Sequence, residues 1–240
     1  MVAATSKKIA VRKTEYADAP RINEIVAKCY PGIPPYPVDA LRAHINHFPE
    51  GQMVVEFEGV IVGFCTTFII SEADAMEPHT WKEITGSGFA SRHDPEGDFL
   101  YGMEVCVDPE FRGQKIGERL YNERRKLSQK LKLKGIFFGA RISGFVKKKK
   151  IYPTPELYLR AVKARIIKDP TISFQMKNGF EPTHILENYL PSDVESQGYA
   201  VLMRWDNPLI DPQGNRHYIE DSRDKVRICT INFEQRRISS

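Results

Sequence analysis

The sequence predicts an α/β (α+β) domain with a mixed central β-sheet of about seven strands flanked by helices. Three observations carry that expectation. Short β-prone runs recur along the chain, amphipathic helical stretches fall between them, and one segment reads as strand, tight turn and helix in direct succession. That segment is Leu100 to Leu120. Leu100 to Val107 is apolar and β-prone, and simple alternation puts Tyr101, Val105 and Val107 on one face. Asp108-Pro109 ends the run, because proline has no N–H for a ladder. A helix then starts near Ile116, with Ile116, Leu120, Leu127 and Leu131 on one stripe.

Arg112-Gly113-Gln114-Lys115-Ile116-Gly117 joins the strand to the helix. Glycines at the mouth of a helix allow close backbone approach, and the unpaired N–H groups of the first turn bind anions. The run Val-x-Pro-x-x-Arg-Gly-x-x-Ile-Gly resembles the acyl-CoA pyrophosphate loop of the GNAT superfamily of N-acetyltransferases, whose pattern is Arg/Gln-x-x-Gly-x-Gly/Ala. Arg112 and Gly117 match its ends, whereas Lys115 stands at the middle glycine. Either the turn differs there, or Lys115 keeps helical angles and adds a charge near the phosphates. The resemblance implies a GNAT fold, with strands splayed apart at the acyl-CoA site. It also implies acetyl-CoA as cosubstrate, no metal, and a pantetheine arm running along Val105, Cys106 and Val107.

The chain has 240 residues, 41% of them hydrophobic, enough for one domain with a large core or one domain plus an appendage. A net charge of +4 suits an anionic ligand without demanding nucleic acid. The four cysteines, Cys29, Cys65, Cys106 and Cys229, form no C-x-x-C pair, so neither a zinc site nor a disulfide framework is indicated. No apolar run reaches membrane-spanning length and no secretory core opens the chain; the expected home is the cytoplasm.

Met1 to Lys8 reads as a lead-in and Ile9 to Thr14 as a short strand. Asp18 can cap a helix carrying Ile22, Ile25, Val26 and Cys29, and Asp39 starts a second one after the proline-rich bend Pro31 to Pro37. Gln52 to Glu58 and Val60 to Ser71 form a hairpin about Glu58-Gly59. Glu72 to Gly97 is long for a connection and carries His79, Trp81 and His93; it either builds the acceptor side of a cleft or tucks its aromatics onto the sheet. The helix after Gly117 presents a basic outer face of Arg119, Arg124, Arg125, Lys126, Lys130 and Lys132, and Gly135 to Ile142 is the next strand. A second insertion, Ser143 to Pro170, contains the lysine run Lys147 to Lys150 and a helix capped by Thr154. A helix ending at Gly179, then strands over Glu181 to Tyr189 and Gly198 to Trp205, complete a domain of residues 1–206.

Asn207 to Asp224 reads as a linker, and Val226 to Phe233 is strand-like. This end resembles the first strand of a carbon–nitrogen hydrolase (nitrilase) domain. The whole resembles the N-terminal half of bacterial GNAT–hydrolase fusion proteins, on Trp-Lys-Glu-Ile-Thr, His-Asp-Pro-Glu-Gly-Asp and Asn-Tyr-Leu-Pro-Ser-Asp. Residues 207–240 are therefore expected to be a linker and a truncated second domain.

The implied reaction moves an acyl group from acyl-CoA to the amine of a small molecule or a lysine. Glu104 is the first candidate for general base, as a carboxylate in the central strand, and His93 the second. Tyr101 and Tyr189 are candidates to replace the family's tyrosine acid, whose position holds Gln175 here. That loss, with the loss of glycine at Lys115, also fits an acyl-CoA-binding regulatory module without turnover. Deleting Asp221 to Ser240 is expected to leave the melting temperature of the first domain unchanged. A loss of many degrees, at about 2–4 °C per kcal/mol, would show that the tail completes the core.

Overall fold

The computed structural model describes residues 9–31 and 36–211. The lead-in, part of the proline-rich bend, most of the linker and the expected strand at 226–233 lie outside the described residues. Seven strands form one sheet in the order β1-β2-β3-β4-β5-β7-β6. They are β1 (Ile9–Lys13), β2 (Met53–Phe57), β3 (Val60–Ile70), β4 (Phe99–Val107), β5 (Gly135–Arg141), β6 (Glu181–Leu186) and β7 (Ala200–Asp206). Helices α1 (Ala19–Cys29) and α2 (Val38–His47) lie at one face, where Ile22, Ile25 and Leu41 pack on Phe64 and Cys106. On the opposite face α5 (Ile116–Lys130) buries Ile116 and Leu120 against Val55, Val62 and Cys65.

Several local expectations shift for identifiable reasons. Asp18 stands at the N-cap position of α1, but its carboxylate accepts from Arg12 at 2.7 Å and from the Glu15 N–H at 2.8 Å. The helix expected from Asp39 begins one residue earlier, after Pro37. The strand expected to reach Tyr189 ends at Leu186, and the chain turns there through Asn188 at φ 52°. The first insertion is folded rather than a loose loop. Its short helices α3 (Glu72–Met76) and α4 (Trp81–Ile84) bury Ala75 and Ile84 against Phe68, Phe99 and Phe137. A reciprocal pair of bonds between Thr80 and Glu83 starts α4. In the second insertion, after the short α6 (Phe145–Lys148), Thr154 caps α7 (Pro155–Lys163). Asp169 ties the insertion to α8 (Ile172–Lys177), accepting from Gly144 N at 2.9 Å, Tyr158 Oη at 2.7 Å and Ile172 N at 2.9 Å. Gly179, just past α8, adopts φ +80°, as a left-handed helix end requires.

Two irregularities shape the centre of the sheet. β4 and β5 are parallel and pair only through Phe99–Tyr101 with Gly135–Phe137, then separate. Beyond that point β5 turns its bonding wholly to β7, through Arg141 and Ala200. The second irregularity is a bulge between β3 and β4. Thr66 faces Glu104 and Thr67 faces Gly102, so Met103 is the extra residue. An inserted residue reverses the alternation beyond it. Tyr101 and Met103 therefore pack in a cluster with Phe68 and Phe99, whereas Val105 and Val107 pack on the α5 side. This corrects the single face expected for Tyr101, Val105 and Val107.

Arg124 holds the bulge. It was assigned by sequence to a solvated face, yet it is 1% exposed. Its Nε donates to Thr67 Oγ1 at 2.9 Å, and its Nη2 donates to the carbonyls of Thr66 at 2.7 Å and Glu104 at 2.5 Å. Gly102 leaves the room, since a Cβ there would meet Arg124 Nη1 at 2.7 Å. Replacing Arg124 with Met keeps the apolar length and strips three buried acceptors of their donor, at about 1–3 kcal/mol each. The melting temperature is expected to fall by roughly 6 °C or more. Thermal denaturation checks this, and an unchanged melting point would show that the bulge holds without its guanidinium.

Candidate active site

The turn after β4 is built on Asp108, whose carboxylate accepts from Arg21 Nη2 at 2.7 Å, Lys28 Nζ at 3.0 Å and Glu110 N at 3.2 Å. Burial works to raise its pKa, but these donors outweigh it and hold the carboxyl below its ordinary value. Phe111 packs on Phe57 at 5.7 Å and anchors the loop that follows. Gly113 takes φ +82°, and Lys115, at the N-cap of α5, takes φ 59° and ψ 22°. Lys115 thus adopts the left-handed angles a glycine would supply, not helical ones. Arg112, Gly113, Gln114 and Lys115 are exposed, Ile116 is buried beneath them, and Gly117 is half-buried. Two left-handed residues followed by the first turn of a fifteen-residue helix are the kind of arrangement that presents N–H groups to an anion. The residues present fit a CoA-type anion at this loop, with the separated edge of β4 leading away from it.

Where β4 and β5 part, a cleft of about 350 Å³ opens, lined by α1 and α2, by the first insertion and by the turn after β6. Glu104, turned by the bulge, lies in its wall with Tyr30, Tyr36, Trp81, Arg141 and Tyr189. Glu104 accepts from Tyr30 Oη at 2.8 Å and from the Val105 N–H at 3.2 Å. Burial raises its pKa above the ordinary carboxylate value, against the opposing pull of those donors. Among the described residues it forms no ion pair. Tyr30 is braced in turn by the Arg141 guanidinium, 5.6 Å from its ring centroid. Arg141 is itself gripped by both oxygens of Asp193, at 2.6 and 2.5 Å. Tyr36 is set by edge contact with His44 at 5.5 Å, and His44 bonds the Gly88 carbonyl at 2.6 Å.

Running back from Tyr189, three side chains form a line. His79 Nδ1 is 2.7 Å from the Glu77 carbonyl, His79 Nε2 is 2.9 Å from Tyr101 Oη, and Tyr101 Oη is 3.1 Å from Tyr189 Oη. Gly139 makes this possible, because a Cβ there would lie 2.5 Å from the Tyr189 hydroxyl. His93 lies elsewhere. Its Nδ1 accepts the Ile69 N–H at 3.1 Å and its ring stacks on Phe48 at 5.1 Å, so it has a structural task outside the cleft. Gln175 is buried and donates to Tyr121 Oη at 3.4 Å, which puts a carboxamide where the sequence pattern leads one to look for an acid. Cys106 is buried towards α1, beside Cys29. The hydrogen bond from Cys106 lowers the Cys29 pKa to about 7, against burial and with help from Arg112.

Glu104 and Tyr189 thus share one cleft, while the loop Arg112–Gly117 stands at the end of β4. Tyr30 and Tyr36 were missed by sequence reasoning, since they flank a proline-rich bend with no motif of its own. Trp81 and His79 lie in an insertion whose length was the only signal. Lys147 to Lys150 lie on α6 and the turn after it, where Lys149 Nζ bonds Gln197 Oε1 at 2.6 Å. Among the described residues no cluster of His, Cys, Asp and Glu is placed to hold a metal, and no helix is long and apolar enough to cross a membrane.

The comparisons agree with this geometry. The chain is 41% identical over 234 residues to the probable hydrolase YhcX of Bacillus subtilis, covering 98% of this chain and 45% of that protein. It thus spans less than half of that relative's length. It is 31% identical over 205 residues to the uncharacterized N-acetyltransferase YkwB of the same organism, covering 83% of this chain and 89% of that one. The GNAT-like decarboxylase GphF in complex with isobutyryl-CoA superposes with a TM-score of 0.69 at 22% identity, over 82% of this chain and 99% of that one, a likeness of fold. Residues 19–143 match the model of the acetyltransferase (GNAT) family, and with the fold and these relatives they establish that the chain belongs to it.

Proposed function

We propose that this domain is an acyl-CoA-dependent N-acyltransferase that moves an acetyl group from acetyl-CoA to a primary amine. The observation that carries the reading is the bulge at Met103, which delivers Glu104, with a raised pKa, into a cleft beginning where β4 and β5 part. The pyrophosphate rests on N–H groups of Arg112 to Gly117, and the pantetheine arm follows the backbone of Val105, Cys106 and Val107. A backbone N–H of β4 serves the thioester oxygen. Glu104 removes a proton from the incoming ammonium, because only the neutral amine attacks. The aromatic walls, Tyr30, Tyr36 and Trp81, favour a cationic group with an apolar body.

Two other readings are weaker. A cleft that is open rather than plugged, with Glu104 in its wall, argues against a regulatory module without turnover. Decarboxylation, suggested by the name of GphF, needs a cation for the substrate carboxylate. Arg141 is already held by Asp193 and Glu195, and Glu104 would repel the anion. The reaction is set in the cytoplasm, with a hydrolase domain following in the full protein, as the partial span of YhcX supports.

Thiol release from acetyl-CoA, with a panel of alkyl and aryl amines, tests the reading; a carboxylated acyl-CoA serves as the rival substrate. Release that requires an amine is expected. Amine-independent release of carbon dioxide from the rival would overturn it. Gly117→Val should abolish CoA binding and leave the fold intact, since a Cβ there meets Phe174 only at 3.4 Å. Retained affinity, measured by calorimetry, would move the cofactor site elsewhere. Glu104→Gln should keep CoA affinity and lose roughly 10²–10⁴-fold in kcat. In the wild type, kcat falls as pH drops through the Glu104 pKa, above the usual carboxylate range; the Gln variant should lose that fall. An unaltered pH–rate profile would exclude Glu104 as the base.

A further inference from the structure

Glu104 does not account for the hydrogen-bonded line that ends at Tyr189 in the cleft. His79, Tyr101 and Tyr189 form a hydrogen-bonded line from near the surface, where His79 is 9% exposed, to the cleft, where Tyr189 lies. The line has a direction. A backbone carbonyl only accepts, so the 2.7 Å contact with Glu77 puts the proton of neutral His79 on Nδ1. Nε2 is then an acceptor and takes the Tyr101 O–H. Tyr101 Oη, its proton committed, accepts the Tyr189 O–H at 3.1 Å. Tyr189 is thereby left with a lone pair and no proton for the cleft. It is an acceptor there, not the donor needed to replace a missing acid.

We propose that Tyr189, Tyr101 and His79 form a proton relay that carries a proton from the acceptor amine to His79, with Tyr189 as the catalytic residue and Tyr101 and His79 acting through it. The proposal rests on the amine-transfer reading above. The ammonium first gives one proton to the Glu104 carboxylate. The neutral nitrogen attacks the thioester carbon, and an N–C bond forms as the carbonyl pair moves to oxygen. The now cationic nitrogen passes its second proton to Tyr189 Oη, while Tyr189 passes its own to Tyr101 and Tyr101 passes its own to His79 Nε2. The oxyanion collapses, the C–S bond breaks, and the thiolate takes the proton held by Glu104. His79 then releases one proton to solvent, so ammonium and acyl-CoA give amide, CoA thiol and one proton.

Protonation of His79 by any other route reverses the line and points a Tyr189 O–H into the cleft, opposing the approach of an ammonium. Burial depresses the His79 pKa, which keeps the imidazole neutral and ready to accept. The groups around it are the Glu77 carbonyl and Glu83, which favour the charged form, and His184 and Arg92, which oppose it.

The test has two arms. Nitrogen-15 NMR of histidine-labelled protein, read without substrate, should show His79 protonated on Nδ1 with Nε2 accepting, and Tyr101→Phe should shift Nε2 alone. A proton on Nε2 at neutral pH overturns the proposal. In the second arm, Tyr189→Phe and Tyr101→Phe should each slow thiol release by roughly 10²-fold, the low end for acid–base assistance. KM for acetyl-CoA should be unchanged, the melting points should stay near wild type, and the double variant should be no slower than either single one. The solvent isotope effect on kcat should come from several protons in the wild type and collapse in Tyr101→Phe, although Tyr101 is fully buried and His79 lies beyond it. Turnover and isotope effect in Tyr101→Phe equal to wild type would overturn the relay. If the wild type releases thiol with no amine, the transferase reading fails, whatever the NMR reports.

Discussion

A buried guanidinium that, among the described residues, no carboxylate neutralises is the constraint on which the centre of this protein depends. Arg124 reaches from α5 beneath the sheet and donates to neutral oxygens, a hydroxyl and two carbonyls. Those carbonyls belong to Thr66 and Glu104, the residues opposed across the bulge. A regular ladder would not present its carbonyls to a cation below the sheet; a bulge can. A planar fork with several donors can serve diverging acceptors at once, which a lysine ammonium on a flexible stem does less well. Gly102 completes the arrangement by giving the fork a place to lie. The bulge and the arginine are each the condition for the other.

Two features of the site follow from that clamp. Alternation along β4 is reset at Met103, so a carboxylate that regular pleating would assign otherwise lies in the cleft wall. Pairing with β5 stops at Tyr101, one residue before the clamp begins, and the space between the strands widens from there. Glu104 is itself fixed from outside by a chain of contacts: Asp193 holds Arg141, Arg141 lies over Tyr30, and Tyr30 donates to Glu104. The hydroxyl on the carboxylate is therefore positioned by an ion pair two residues removed from it. Both arginines near the cleft have their charge engaged, one by carbonyls and one by carboxylates.

The strands, the hairpin, the capped helices and the loop Arg112 to Gly117 were legible in sequence, because each depends on local signals: period-two runs, Thr154 before a proline, glycines at a helix mouth. What was not legible depends on register. Nothing in Tyr-Gly-Met-Glu-Val announces an extra residue, so the face of Val105 and the burial of Arg124 could not be read from alternation. Arg124 in a run of charged residues looks solvated until the bulge supplies its acceptors. His93 and His79 were equivalent as sequence, two histidines in one long insertion. Tertiary packing gave one to the Ile69 N–H and the other to a tyrosine hydroxyl. Lys115 took left-handed angles without being glycine, a cost that the turn between Asp108 and α5 imposes.

In the proposed transfer an ammonium sheds two protons to become an amide nitrogen, a requirement that a cleft holding both Glu104 and Tyr189 can meet. A single carboxylate takes the first proton and is then spent until the thiolate leaves. A second acceptor is needed between attack and collapse, and it must lie on the side from which the cationic nitrogen is approached. Glu104 and Tyr189 both line the cleft, one in the bulged strand and one in the turn after β6. Their environments push in complementary directions. Burial raises the pKa of Glu104, which favours its taking the first proton, and depresses that of His79, which keeps the imidazole neutral and able to accept the second. On the proposed reaction the absent tyrosine acid at Gln175 would be no loss, because the proton for the thiolate would come from the substrate itself.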